Sequence, residues 1–171
     1  YTLTAGEANI NLSQKNLGRA DVTLLTGWMQ RPEVSAVLKK VTLSGNPLTG
    51  GEPKYLGDGK YAQTDGKDIS GVSALFPSMT QVTELDVSDC GLGPTSMPEL
   101  AKLVSDATAV LTSVNCLQNP LGDEGLATLV TAVEASSVGS ICGLTEGQRT
   151  VDWSKQKLGP FDCKIIAADF G

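Results

Sequence analysis

The sequence of 171 residues contains no histidine, and this absence removes several kinds of chemistry at once. Without histidine there can be no Ser-His-Asp triad and no Cys-His nucleophile pair. The usual zinc sites need histidine or paired cysteines, and no CxxC motif is present either. We therefore predict no catalytic residues, no metal site and no bound cofactor.

Phosphate-binding and calcium-binding motifs are also missing. The two Gly-Lys pairs are followed by Tyr61 and Asp68 instead of Ser or Thr, so neither is a P-loop. The acidic residues of this region lack the alternate spacing of a calcium loop. Adjacent acids such as Asp123 and Glu124 are typical of a helix start, where the helix dipole favours them. These absences favour a protein that is not an enzyme.

Positive charge is scarce, because 13 Lys and Arg stand against 19 Asp and Glu, for a net charge of −6. An acidic surface repels both nucleic acids and anionic membrane surfaces. No run of apolar residues reaches the length of about 18 that a membrane-spanning helix needs. We expect neither a nucleic-acid partner nor membrane insertion.

Aromatic residues make up only 5% of the chain, whereas 40% is hydrophobic, so the core must be aliphatic. Residues 38–48, 82–92 and 111–121 share one pattern: apolar-x-x-apolar-x-apolar-x-x-(Asn or Cys)-x-Leu. Residues 10–18 and 151–159 fit loosely, with Lys15 and Gln156 in the Asn/Cys slot. Each copy predicts a short strand and then a turn in which a buried Asn or Cys satisfies backbone groups.

Apolar residues at helical spacing follow each copy, near 21–25, 68–79, 97–104, 126–133 and 161–168. The predicted strands begin at Ile10, Val41, Leu85, Val114 and Val151, with separations of 31, 44, 29 and 37 residues. A unit of about 28 residues explains the short separations. The longest one contains a glycine-rich inserted loop at 51–66, and the last contains an irregular extra strand at 140–144. Six strands are therefore expected.

The Gly122-Asp123-Glu124-Gly125 run completes a resemblance to a known family. Residues 111–133 resemble the ribonuclease-inhibitor type of leucine-rich repeat, LxxLxLxx(N/C)xLGDEGxxxLxxxL, and 82–104 is similar. The resemblance implies an α/β leucine-rich-repeat solenoid with a curved parallel sheet on the concave side and helices on the convex side. It implies a single domain over 1–171 with five to six repeats. Since no polar cap is evident after the apolar helix at 161–168, we expect the chain to be part of a longer array.

On such a solenoid, the strand residues that alternate with the buried ones face outward. The candidate binding residues on this concave face are Asn9, Asn11, Thr42, Glu84, Asp86, Ser113, Asn115 and Asp152. The row is polar and mildly acidic, which predicts a docking face for a protein partner, a basic one in particular. Solvated strands are also polar when they bind nothing, so both interpretations stay open.

The insertion offers a second candidate surface, since Tyr55 and Tyr61 flank its glycine-rich turn. Loops on a rigid scaffold often carry function, and a disordered decoration is the alternative. The predicted function is a non-catalytic protein–protein interaction scaffold that uses the concave face. A structural subunit packed against neighbouring subunits of a larger assembly is the alternative, and an enzyme built on the insertion loop is a third hypothesis.

The four cysteines are separated by 26, 26 and 21 residues. This near-equal spacing predicts that they occupy equivalent slots of the repeating unit. We expect them to be buried thiols, as in a protein of the cytoplasm or another reducing intracellular compartment.

Overall fold

The computed structural model describes residues 1–57, 60–66, 68–106, 108–154 and 156–170, and at Lys60 and Tyr61 the backbone alone. Within this part of the chain the strands are β1 (Asn9–Asn11), β2 (Lys40–Thr42), β3 (Lys54–Gly57), β4 (Lys60–Ala62), β5 (Glu84–Asp86) and β6 (Ser113–Asn115). Four of them form an open parallel sheet in the order β1-β2-β5-β6. The other two, β3 and β4, form a separate antiparallel hairpin.

Helices follow the strands, as the apolar spacing predicts. They are α1 (Arg19–Met29), α2 (Pro32–Ser35), α3 (Ser70–Leu75), α4 (Met97–Ser105), α5 (Gly122–Glu134) and α6 (Pro160–Phe170). A 3₁₀ turn, Phe76–Met79, continues α3 because Pro77 has no N–H to donate to an α-helical hydrogen bond. The chain is thus a mixed α/β protein, and the helices predicted in all five places are confirmed. None of the described helices is long and apolar enough to cross a bilayer.

The four parallel strands are in register, so equivalent positions of the sequence pattern lie side by side. Ile10, Val41, Leu85 and Val114 form one row of paired positions, and all four are buried. Neighbouring helices pack in turn, α1 against α3, α4 against α5 and α5 against α6. Strand and helix side chains join in one aliphatic cluster. Burial of this shared cluster is the main favourable term in folding.

Each strand ends in the same turn, and we call residues 10–17, 41–48, 85–92 and 114–121 the four strand turns. One position in each has a left-handed backbone: Gln14 (φ 54°), Gly45 (φ 71°), Asp89 (φ 49°) and Gln118 (φ 62°). This conformation is uncommon for residues other than glycine. In the first three turns, the N–H of this residue donates to a carbonyl of the next turn, at 2.8–3.0 Å. A backbone ladder therefore runs across the turns.

The predicted role of the Asn slot is confirmed at Asn46 and Asn119. Asn119 is buried, and its Oδ1 accepts the backbone N–H groups of Cys90 and Leu92, both at 3.0 Å. Its Nδ2 donates to the carbonyls of Val87 (2.8 Å) and Cys116 (2.9 Å). Asn46 makes the equivalent hydrogen bonds between the second and first strand turns. Its Oδ1 accepts the N–H groups of Lys15 and Leu17, and its Nδ2 donates to the carbonyls of Leu12 and Leu43. Each amide thus ties its own turn to the preceding one.

Cys90 stands in the same slot of the third strand turn. It is buried, and its thiol lies 3.2 Å from the carbonyl oxygen of Leu43 and 3.4 Å from that of Ser88. The equal spacing of the cysteines is misleading, however, because Cys116 occupies a core position directly after β6 and not the Asn slot. Cys163 is exposed on α6. The prediction of four buried, equivalent cysteines is therefore wrong.

The predicted strand at 151–153 is absent from the described structure. Val151 and Asp152 are exposed in a loop. The extra strand expected at 140–144 is reduced to two bridges with β6, parallel at Ser140 and antiparallel at Cys142. Gly143, with φ of 84°, turns the chain away beyond them. The expectation of six strands in one sheet is therefore wrong.

Helix α6 lies beside the fourth strand turn and accepts backbone hydrogen bonds through two carboxylates. The carboxylate of Asp162 accepts the N–H of Gln118 at 2.5 Å, so it continues the backbone ladder. The carboxylate of Asp169 accepts the N–H groups of Ile141 and Cys142, both at 2.9 Å, and the hydroxyl of Ser140 at 2.7 Å. The two acids of α6 therefore bind the helix to the fourth strand turn and to the segment that begins at Ser140.

The insertion at 51–66 contains the β3–β4 hairpin, and its returning segment contacts the strand turns. The Thr49 hydroxyl donates to the carbonyl of Gly91 (3.0 Å) and accepts the N–H of Gly66 (2.9 Å). A Cβ on Gly66 would lie 1.8 Å from the carbonyl oxygen of Thr49, so only glycine fits this crossing. The described part of the insertion is thus folded against the third strand turn.

Candidate binding surfaces

The solvent face of the sheet, which we call the sheet face, consists of two rows of outward-pointing residues. One row is Asn9, Lys40, Glu84 and Ser113, and the other is Asn11, Thr42, Asp86 and Asn115. The structure thus brings seven of the eight predicted binding residues together. The eighth, Asp152, lies outside the sheet, where its carboxylate accepts the N–H of Ser154 at 2.8 Å. Hydrogen bonds from Ser154 lower the pKa of Asp152.

Accessibility falls across the sheet face from β1 to β6. Asn9 is exposed and Glu84 is half-buried, but Ser113 is buried because Ser140 pairs beside it. Gly143 approaches Asn115 so closely that a Cβ would lie 2.9 Å from the Cβ of Asn115. The part of the face that a partner can reach is therefore centred on β1, β2 and β5.

Four of the predicted binding residues are the last residues of their strands, and three of these four also accept hydrogen bonds from the turn that follows. The Oδ1 atoms of Asn11 and Asp86 each accept the N–H and the hydroxyl of the serine two residues later, at 2.7–3.0 Å. Asn115 accepts the N–H of Leu117 at 3.2 Å in the same way. Such Asx turns hold each side chain in one orientation. The row is consequently ordered before any partner arrives.

Lys40 also belongs to the sheet face, where it forms an ion pair. Its Nζ lies 2.7 Å from Oε2 of Glu84 on the neighbouring strand, and both groups are partly exposed. An exposed pair of this kind is worth only about 0–1 kcal/mol. It does compensate the charge of Glu84, so Asp86 carries the remaining negative charge of these rows. The sequence indicates this pair, because Lys40 and Glu84 hold the same position in two aligned copies of the repeat and have opposite charges.

A pocket of about 450 Å³ lies at the edge of the sheet where the strand turns meet the hairpin and the start of α6. We call it the turn-edge pocket. Its lining includes Gln14, Asp89 and Gln118, the three left-handed residues other than glycine at the repeated turn position. Strained backbone at such positions is often found where a site is held rigid. The carboxyl edge of a parallel sheet is also the usual place for ligand sites in open α/β folds.

Asp89 is the charged member of the four equivalent turn positions. Its side chain is half-buried, and its Oδ1 accepts the N–H of Gln63 at 3.2 Å. Burial raises the pKa of Asp89 above its ordinary value, while the Gln63 hydrogen bond and the charge of Lys157 oppose that rise. In the described part of the chain, the buried Oε1 of Gln63 has no hydrogen-bond partner.

The two tyrosines named as candidates in the insertion, Tyr55 and Tyr61, are backbone partners in the β3–β4 hairpin. Tyr55 is exposed, and its neighbour Leu56 lines the turn-edge pocket. The side chain of Tyr61 lies outside the described residues. No local sequence pattern predicts the pocket, because its lining comes from segments that are distant in the chain.

The buried thiols have no nucleophilic character. Burial raises the pKa of Cys90 and Cys116 well above the ordinary thiol value, and it raises that of Cys142 to about 12. A thiolate is the reactive form of cysteine, so these groups stay unreactive at neutral pH. Among the described residues, no group of three or more Cys, Asp or Glu is placed to hold a metal ion.

Compared with protein-family models and with curated proteins, the chain matches none of them. The sheet face and the turn-edge pocket are therefore the basis for a functional proposal.

Proposed function

We propose that the chain is a leucine-rich-repeat solenoid of the ribonuclease-inhibitor type that binds a protein partner through its sheet face. The observation that carries this proposal is the register of β1, β2, β5 and β6, which aligns outward polar side chains in two continuous rows. In a strand–turn–helix solenoid these rows lie on the concave side, where the curvature forms an extended binding surface.

The strand turns support the solenoid assignment. Asn46 and Asn119 make equivalent hydrogen bonds to the preceding turn, and the same left-handed position recurs in all four turns. Such repetition of both side-chain and backbone geometry is expected when one structural unit is stacked on copies of itself.

The rigidity of the face supports binding without catalysis. Asn11, Asp86 and Asn115 are already oriented by their Asx turns. Side chains that are ordered before association lose little conformational entropy when a partner docks. The charge of Asp86, beside the compensated Lys40–Glu84 pair, favours a partner whose surface presents donors or basic residues. The free thiols fit a reducing intracellular compartment.

The proposal is tested with two double variants that change the net charge equally. Asn9→Arg with Thr42→Arg places bulky cations on the sheet face, whereas Ala127→Arg with Thr131→Arg places them on the exposed side of α5. Each purified protein is immobilised, and the proteins that it captures from native extract are quantified by mass spectrometry. We expect the sheet-face variant to lose partners that the α5 variant retains.

Equal capture by the two variants would rule out the sheet face as the docking site. Matching unfolding midpoints, measured in urea, establish that a loss of capture does not reflect a loss of fold.

A further inference from the structure

The turn-edge pocket differs from the sheet face in shape and in chemistry. It is concave and has both apolar and polar walls, contributed by the hairpin, the strand turns and the first residues of α6. Its volume of about 450 Å³ falls within the range of about 300–1,000 Å³ that is typical of ligand sites. The left-handed turn residues that line it are held by hydrogen bonds of their backbone N–H groups, so this part of the pocket is preformed.

The charges around the pocket favour a cation. Asp89 and Asp162 both line it, against one lysine, Lys157, which is exposed. Asp162 already accepts the N–H groups of Gln118 (2.5 Å) and Gly159 (2.6 Å) with its two oxygens. Among the described residues, the carboxylate of Asp89 accepts a single N–H, that of Gln63. Asp89 is therefore the carboxylate with the most remaining capacity to accept hydrogen bonds from an occupant.

An anion is disfavoured by the same contacts. The N–H groups of Gln14 and Asp89 donate to carbonyls of the next strand turn, and that of Gln118 donates to Asp162. Backbone N–H groups that point at a ligand are what make turns and helix starts attract phosphate. At this edge the backbone N–H groups of these three turn residues are already engaged, so they do not form an anion site.

The uncharged lining suits a flat, donor-rich group. Phe161 and Leu56 supply apolar surface, and Gln63 contributes a side-chain amide to the lining. The Phe161 ring already receives one cation, because Nζ of Lys164 lies 5.1 Å from its centre. A guanidinium group combines a planar face, which stacks on aromatic and apolar surfaces, with five N–H donors that match a carboxylate and amide oxygens. An ammonium group offers a compact point charge without that face.

We propose that the turn-edge pocket binds an arginine side chain from a segment of the protein partner, with its guanidinium on Asp89 and its flat face against Phe161 and Leu56. The pocket is larger than one arginine side chain, so it also admits part of the adjoining backbone. This proposal rests on the proposed function as a protein-binding scaffold and adds a second, specific contact outside the sheet face.

The test is a nuclear magnetic resonance titration of the whole chain with capped arginine (N-acetyl-arginine N-methylamide). The corresponding citrulline and lysine compounds serve as probes of charge and shape, because citrulline keeps the shape of arginine without its charge. We expect the backbone amide signals of Gln63 and Gln118 to shift with the arginine probe, weakly with lysine and not with citrulline.

Two asparagine variants provide matched controls. Asp89→Asn removes the charge in the pocket, and asparagine tolerates the left-handed backbone there. Asp106→Asn removes the same charge from an exposed turn outside both surfaces, and asparagine keeps the Oδ1 acceptor for Thr108. We expect Asp89→Asn to weaken the arginine probe about three- to tenfold and Asp106→Asn to leave it unchanged. Lys157→Gln should tighten binding, since it removes the competing cation.

Equal shifts with arginine and citrulline, or equal affinity in the two asparagine variants, would overturn the proposal, as would the absence of any shift at Gln63 and Gln118. The outcome is independent of the sheet face, because the Asn9→Arg, Thr42→Arg variant leaves the pocket intact. Probe binding together with unchanged partner capture by that variant would support the pocket and refute the sheet-face proposal.

Discussion

The four strand turns and the segment from residue 139 to α6 satisfy the same kind of backbone donor in different ways. In the first three strand turns, the left-handed residue donates its N–H to a carbonyl of the next turn. At the fourth, Gln118 donates to the Asp162 carboxylate, and Ile141 and Cys142 donate to that of Asp169. Between the strand turns the acceptor of this N–H is thus a backbone carbonyl, whereas at Gln118, Ile141 and Cys142 it is an acidic side chain.

The β6 edge of the parallel sheet is satisfied by an irregular segment. A parallel edge leaves N–H groups without a partner, and each such group costs free energy if it is buried. The N–H groups of Val114 and Cys116 donate to the carbonyls of Ser140 and Ile141, at 2.8 and 3.0 Å. The two acids of α6 accept the N–H groups beside them, those of Gln118, Ile141 and Cys142. We therefore expect the strand turns to unfold only when the whole protein unfolds. The segment from residue 139 to α6 should also unfold locally, while the rest of the protein stays folded.

The largest difference is expected in thiol reactivity. Cys90 and Cys116 lie in the strand turns, while Cys163 is exposed on α6. We expect an alkylating reagent to modify Cys163 quickly in native protein, and Cys90 and Cys116 at least about a thousandfold more slowly, because they require large-scale opening. Mass spectrometry of the modified peptides measures the rates. Rapid modification of Cys90 would contradict the proposed stability of the turns.

The next largest effect is expected from Asn119→Ala. The substitution leaves the buried N–H groups of Cys90 and Leu92 without an acceptor. We expect unfolding in urea to require about 3–5 kcal/mol less free energy, since each unsatisfied buried group costs about 1–3 kcal/mol. Asn119→Cys should lose less, because Cys90 shows that a thiol can occupy this slot. An equal loss in both variants would refute the equivalence of the two slots.

A smaller and more local effect is expected from Asp169→Ala, which removes the acceptor for Ser140, Ile141 and Cys142. We expect a loss of about 2 kcal/mol, in the range for hydrogen bonds to a charged group. Hydrogen exchange should quicken at the Ile141 and Cys142 amides and stay unchanged at Val41. A uniform increase along the chain would show that the α6 end does not open separately. Asp169→Asn, which keeps an acceptor, is the control.

The smallest effect is expected from Asp68, an exposed residue outside both regions. Hydrogen bonds from Ser70 and the Arg19 guanidinium lower its pKa from 3.8 to about 2. A carboxylate whose folded pKa is lowered stabilises the fold above its unfolded pKa, and this contribution disappears as the pH falls from about 4 to about 2. Asp68→Asn should therefore lower the urea midpoint slightly at neutral pH. A difference from the unaltered protein that persists at pH 2 would contradict this assignment.

Much of the fold could be predicted because its signals are local. The alternation around Val41, Leu85 and Val114 and the apolar helical spacing after each strand recur within a single unit of the sequence, so alignment of the copies was sufficient. The same holds for the outward residues Asn11 and Asp86. The strand predicted at Val151 is wrong, because a sequence pattern does not show whether a neighbouring strand has an edge free for pairing.

The amino-acid order was sufficient for the strand–turn–helix units, their apolar side and the amide at Asn46 and Asn119, since each depends on residues within one period of the chain. The three-dimensional arrangement alone established how the sheet ends and where a pocket forms. Asp162 meets Gln118 across 44 positions, and Gln63 meets Asp89 across 26. Contacts at such separations depend on the paths of the intervening loops, and no repeating pattern records those paths.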